Sequence, residues 1–196
     1  MKRILLFSAL TEGNRRSVLG QLFPSALQNK VFSYMPSSGV KGSESYIEQW
    51  RAITQEYGAQ FNVIDNSVRN TEEQRKLLSS NIILISGGNT FNLLRNLRES
   101  GLDKSIGEFI QKTDFVLAGF SAGALALTPT IKICNLPGFD ENLVGLEDPS
   151  GLNIVDFEVF PHYDEHLQKV VLEKYQEVAA NNVREITDED YIIIDR

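Results

Sequence analysis

Gly119-Phe120-Ser121-Ala122-Gly123 is the segment whose residue types could do chemistry. It is a G-x-S-x-G pattern between a short apolar run, Phe115 to Ala118, and a helix-favouring stretch. In that context the serine stands on a sharp turn with its hydroxyl clear of the sheet. Two glycines leave room for the turn, and the N–H of Ala122, at a helix start, points where an oxyanion would form. A serine nucleophile needs a base, and the chain has two histidines, His162 and His166. His162 follows a strand-like run in Phe160-Pro161-His162-Tyr163, which puts it at a strand end, as Ser121 is. His166 falls in the first turns of the next helix and reads as a surface residue. An acid must orient the base. Asp164, Glu165, Asp188, Glu189 and Asp190 are the downstream candidates, and spacing alone leaves them open. Asp164 and Glu165 also suit a helix cap. A second oxyanion donor fits Ser86-Gly87-Gly88-Asn89-Thr90, another strand-to-helix junction, where Asn89 could instead serve as a plain N-cap.

The elements that must position these residues alternate. Ile4–Ala9, Val31–Met35, Phe61–Ile64, Ile82–Ile85 and Phe115–Ala118 read as strands, the first as an apolar run of the kind buried on both faces of a parallel sheet. Between them, Ser43–Gly58, Thr71–Ser80, Asn89–Ser100 and Leu102–Lys112 read as helices, Thr71 opening a capping-box-like Thr-Glu-Glu-Gln. This is the pattern of βαβ units: a parallel sheet with helices on both faces. Residues 128–150, rich in Pro and Gly, should be loop with short strands. Asn153–Phe160 reads as a strand. Tyr163–Asn181 reads as a helix with Leu167, Val170, Val171, Tyr175 and Val178 as its core face. Val183–Ile186 and Tyr191–Ile194 read as a closing pair of strands.

Bulk properties narrow the function. The 196 residues suit one domain, residues 1–196, with 42% hydrophobic and 23% charged residues. A net charge of −7 argues against a nucleic-acid-binding face or an anionic membrane partner, Arg15-Arg16 being one small basic spot. The single cysteine, Cys134, excludes an internal disulfide and reads as a small buried apolar residue. Met1-Lys2-Arg3 before Ile4–Phe7 has too short an apolar run for a signal peptide, and no stretch reaches transmembrane length, so the cytoplasm is expected. No His/Cys/Asp cluster has zinc-ligand spacing, and no metal or cofactor is expected.

Taken together, Gly87-Gly88-Asn89-Thr90-Phe91, Gly119 to Ala124, Asp156-Phe157 and Pro161-His162-Tyr163 resemble the peptidase E (aspartyl dipeptidase) and cyanophycinase family of serine peptidases, in order and spacing, from the first strand to the last residues. The resemblance implies a three-layer α/β sandwich with a mostly parallel sheet, class I glutamine amidotransferase-like and related to flavodoxin-like sheets. It implies Ser121 as nucleophile, His162 as base, Gly88 and Ala122 as oxyanion-hole donors, and contacts to a short peptide from Gly87, Asn89 and Thr90. The family's third member is an acid in a turn near the C-terminus. Asp188 falls there, with Glu189 one residue on. An alternative family position, about fifteen residues after the serine, is met here by Asn135-Leu136, which favours the C-terminal acid. Aspartyl dipeptidases of the family also carry an arginine after the histidine. Tyr163–Asn181 offers only Lys169 and Lys174, which weighs against a strict Asp-X preference. A monomer or homodimer is expected. Two other readings use the same fold. One is a small-molecule binding module with the Ser8–Asn14 loop as a phosphate cradle. The other is an inactive relative that uses the pocket for sensing.

Overall fold

Six strands form the central sheet of the computed structural model, which describes residues 1–25 and 30–196. They are β1 (Lys2–Phe7), β2 (Val31–Met35), β3 (Gln60–Val63), β4 (Ile82–Ile85), β5 (Phe115–Phe120) and β8 (Tyr191–Asp195), in the order β3-β2-β4-β5-β1-β8. All neighbours run parallel except β8, which is antiparallel to β1. Side chains alternate across the pleat, so a strand covered on both faces must be apolar at every position. β1 meets this demand from Ile4 to Phe7: Ile4 and Leu6 enter one core, Leu5 and Phe7 the other, and all four are fully buried. The Leu5 and Phe7 face is covered by α1 (Arg15–Leu22) and α2 (Glu44–Glu56), through residues such as Leu19, Leu22, Trp50 and Ile53. The opposite face is covered by α3 (Thr71–Ser79), α4 (Thr90–Ser100), α5 (Leu102–Phe109) and α6 (Ala122–Ala126). The result is a three-layer α/β sandwich with a mostly parallel sheet, of flavodoxin-like kind. β1 occupies the place that the last strand holds in the flavodoxin order 2-1-3-4-5.

A small second sheet completes the site. β6 (Glu158–Pro161) and β7 (Val183–Ile186) pair in parallel, joined by α7 (Glu165–Gln176). This corrects the expected closing pair: β7 pairs with β6, and β8 crosses to β1. The reason lies in β8 itself. Ile192 and Ile194 pack on one core and Tyr191 and Ile193 on the other, so the strand needs a sheet covered on both sides. The strand expected over Asn153–Phe160 is shorter. Leu152 and Ile154 instead donate their N–H groups to the carbonyls of Ala126 and Leu127 at the end of α6, at 2.8 Å each. Residues 128–150 hold a 3₁₀ turn, Lys132–Asn135, and an isolated bridge between Thr130 and Ser150 rather than short strands. At α3 the cap is Asn70, accepting from the Glu72 N–H, one residue before the expected start. α1 was not foreseen from the sequence. No helix of the described residues is long and apolar enough to cross a membrane.

The expected core face of α7 is also corrected. Leu167, Val170 and Val178 are 79%, 60% and 78% exposed, while Leu172 and Tyr175 are buried. Tyr175 donates its hydroxyl to Glu158, which also accepts from Asn181. Burial, and then this carboxylate, push the tyrosine pKa up. A helix docks by the face its polar anchors select, and here the buried Glu158 on β6 selects Tyr175. Leu172→Ala should therefore cost about 2–5 kcal/mol in urea unfolding, whereas Val170→Ala should stay within about 0.5 kcal/mol.

Candidate active site

β5 ends where its last backbone contact with β1 is made: Ser121 donates its N–H to the Phe7 carbonyl at 2.9 Å. One residue later α6 has begun, with Leu125 N–H donating to the Ser121 carbonyl at 3.0 Å. To turn from sheet to helix within one residue, Ser121 adopts φ 51°, ψ −114°, a conformation L-residues avoid. The turn brings backbone against backbone. A Cβ on Gly119 would sit 2.5 Å from the Gly123 carbonyl oxygen, and one on Gly123 would sit 2.1 Å from that of Ile85. Both positions of the motif therefore demand glycine.

His162 stands at the carboxyl end of β6, also with positive φ (56°). Its Nε2 lies 2.8 Å from Ser121 Oγ, and its Nδ1 lies 2.6 Å from Asp188 Oδ1. The three side chains form one hydrogen-bonded chain across a cleft, the geometry of a serine nucleophile, its base and an orienting acid. Of the acids left open by spacing, Asp188 makes this contact. Glu189 turns away and accepts from Thr11 Oγ at 2.9 Å, Asp190 accepts from Thr187, and Asp164 caps α7 by accepting from the His166 N–H. His166 is exposed on α7, as expected.

The carboxyl end of β1 ties these pieces together, a role the sequence reading missed. The buried Ser8 hydroxyl donates to the Ile186 carbonyl at 2.8 Å and accepts from the His162 N–H at 2.9 Å. Asn14 donates from Nδ2 to the carbonyls of Ala9 and Asp188. The side chains of Ser8 and Asn14 in the Ser8–Asn14 loop, expected as a phosphate cradle in one reading, thus brace the turn that carries Asp188. The signal was available: a serine and an asparagine at the carboxyl end of the first strand, where sites collect.

The second junction behaves in part as expected. Gly88 adopts φ 139°, and a Cβ there would lie 2.0 Å from Ser37 Oγ. Among the described residues, the N–H groups of Gly88 and Ala122 have no hydrogen-bond acceptor, so both are available to a developing oxyanion. Gly87 packs against the Phe120 ring and Ser121. Asn89 and Thr90, expected to touch substrate, are engaged elsewhere. Asn89 caps α4 by accepting from the Asn92 N–H and donates to the Glu141 carbonyl. Thr90, fully buried, donates its N–H and hydroxyl to Asp140 Oδ2 at 2.7 and 2.6 Å. They hold the 138–141 loop beside the site. Cys134 is buried, and burial pushes its thiol pKa up to about 12, so it offers no thiolate at neutral pH.

Comparison with known proteins gives the family and the fold. The model of peptidase family S51 matches residues 4–195. An uncharacterized peptidase of Listeria monocytogenes is 33% identical over 158 residues, 77% of each chain. One of Pasteurella multocida is 30% identical over 182 residues, 84% of this chain and 87% of that one. A peptidase E of a Nostoc species is 31% identical over 136 residues, 68% of this chain and 52% of that one. Among solved structures, a Listeria monocytogenes protein described as a peptidase E superposes with a TM-score of 0.79 at 28% identity, covering 99% of this chain and 94% of that one. The resemblance drawn from four short segments extends over nearly the whole chain.

The close approaches at the Ser121 turn make a direct prediction. Gly123→Ala should destabilise the protein by about 3 kcal/mol or more in urea unfolding, since backbone must move to admit the methyl group. Gly20→Ala, in the interior of α1 with open space around its Cβ, should instead stabilise by up to about 1 kcal/mol.

Proposed function

The chain belongs to peptidase family S51 and is a peptidase, and on that premise we propose that it hydrolyses short peptides, dipeptides among them, through an acyl-enzyme on Ser121. The observation that carries this reading is the Ser121–His162–Asp188 chain, with contacts of 2.8 and 2.6 Å. His162 Nε2 takes the hydroxyl proton as Ser121 Oγ attacks the peptide carbonyl. Asp188 accepts from Nδ1, which holds the tautomer and stabilises the imidazolium. The oxyanion of the tetrahedral intermediate lies against the N–H groups of Gly88 and Ala122. The imidazolium then gives its proton to the leaving amine. Water, deprotonated by the same ring, hydrolyses the ester and restores Ser121.

Asn89 and Thr90 serve as positioning residues in this scheme, through the 138–141 loop, and Gly87 lets substrate approach beside Phe120. Strict Asp-X preference is not expected. Of the two lysines on α7, Lys169 is paired with Glu165 at 3.1 Å on the surface, and neither replaces an arginine fork.

A panel of dipeptides and tripeptides, Asp-X included, tests the proposal against wild type and Ser121→Ala. Ser121-dependent cleavage of short peptides, and none of long unfolded chains, is expected. Asp188→Asn should lower kcat by about 10⁴, as misorienting the base does in triads of this type. Glu189→Gln should leave kcat within a few-fold. Equal losses for the two substitutions would remove Asp188 from its assigned place.

A further inference from the structure

Two cavities meet at Ser121 and His162, and their charges are opposite. The larger, about 530 Å³, opens at the carboxyl edge of the main sheet and is walled by Phe7, Tyr34, Trp50 and Phe120. Its volume falls in the range of roughly 300–1,000 Å³ found for small-molecule sites. Its Lys and Arg lining residues are Arg15 and Lys41; among the described residues no Asp or Glu lines it. This is notable in a chain with 26 acids against 19 Lys and Arg. Among the described residues, neither cation forms an ion pair. Glu44 sits close enough to feel Lys41, but its carboxylate is held low mainly by backbone N–H groups, its own and that of Gly42.

The smaller cavity, about 180 Å³, is lined by Leu125, Phe139, Asp140 and Gln168 beside Ser121 and His162. Asp140 is its single acid, and it has no Lys or Arg. Thr90 holds one oxygen of that carboxylate with two hydrogen bonds, both to Oδ2. Among the described residues, Oδ1 accepts none.

A short peptide is itself bipolar, an ammonium at one end and a carboxylate at the other. We infer that it lies across Ser121 with its free amino group toward Asp140 in the small cavity and its free carboxylate toward Arg15 and Lys41 in the large one. This inference rests on the peptidase reading above and deepens it. The acyl side, confined to the small cavity, takes a small residue, and an acidic one is repelled by Asp140. The leaving residue enters the large cavity, where the aromatic wall favours a bulky apolar or aromatic side chain and the cations hold its carboxylate. Arg15 opens α1, and Lys41 lies in the segment before α2.

Binding to the Ser121→Ala protein, followed by calorimetry, tests this without turnover. The probes are Ala-Phe, Ala-Phe amide and N-acetyl-Ala-Phe. Amidation and acetylation should each weaken binding about tenfold or more, the loss expected when one end of a charge-complementary contact is removed. Adding Arg15→Gln and Lys41→Gln should abolish the difference between acid and amide and preserve the penalty for acetylation, which also shows that the protein has folded. Asp140→Asn keeps an acceptor for Thr90 and should abolish only the acetylation penalty. The inference is overturned if acid and amide bind alike, if the discrimination survives these substitutions, or if none of the probes binds. Ser121-dependent hydrolysis of Ala-Phe by wild type alongside such a result would leave the peptidase reading standing. Absence of Ser121-dependent turnover on any peptide would end that reading, whatever the binding shows.

Discussion

The backbone of Ser121 turns through a left-handed conformation, and it can do so only because the chain carries no side chains at two neighbouring points. Gly119 approaches the Gly123 carbonyl and Gly123 approaches the Ile85 carbonyl, each closer than a Cβ allows. These contacts draw α6 onto the ends of β4 and β5. They also set the Ala122 N–H free at a helix start and bring the Gly87-Gly88 turn against Ser121. Strain of this type costs on the order of 1–3 kcal/mol and persists only where the surrounding structure over-determines it. The surroundings here are buried: every residue from Phe115 to Ala118 and from Ala124 to Ala126 lies in the core. His162 has the same type of backbone at the end of β6. Ser121 and His162 thus both stand on strained strand ends, held by two different sheets.

What joins those sheets is a set of polar contacts at the carboxyl end of β1. The Ser8 hydroxyl connects the His162 backbone to β7, and Asn14 connects the β1–α1 loop to the turn that carries Asp188. His162 and Asp188 side chains are about half exposed, 47% and 55%. Their alignment therefore depends less on packing than on the backbone anchors beneath them. The 2.6 Å contact between them follows from where β6 and β7 end, and those ends are tied to β1.

Much of this was legible in the sequence, and the misses have physical causes. β1, β4 and β5 were readable because a strand buried on both faces leaves an apolar run. Ser121 and His162 were readable because strand-end chemistry carries its own residue types. Asp188 was not separable from Glu189 by pattern, since a turn of acids has no periodicity; the direction of each side chain is set by Thr11 and His162, far away in sequence. Ser8 and Asn14 were missed for a related reason: isolated polar residues in a loop look alike whether they face water or brace a site. The helix α7 was found but rotated. Its apolar residues fall on more than one stripe, and the choice between them is made by the buried Glu158 through Tyr175. The pairing of β7 and β8 failed because a four-residue connection suggests a hairpin, whereas partner choice here is decided by which sheet can cover both faces of β8.

The way β1 is shared has a consequence for the timing of competence. Ser121 is 41 residues from His162, which is 26 residues from Asp188, and Ser8, which positions them, lies 154 residues before the histidine. A growing chain that has finished β5 and α6 already has Ser121, but no His162 beside it. One that has finished α7 has His162, but no β7 for Ser8 to hold and no Asp188. Only when β8 docks antiparallel on β1 is the turn between β7 and β8 pinned at both ends. The contacts that join Ser121, His162 and Asp188 therefore draw on elements far apart in the chain, and a chain that lacked β7 and β8 would hold Ser121 without Asp188 and without the β7 anchor for Ser8.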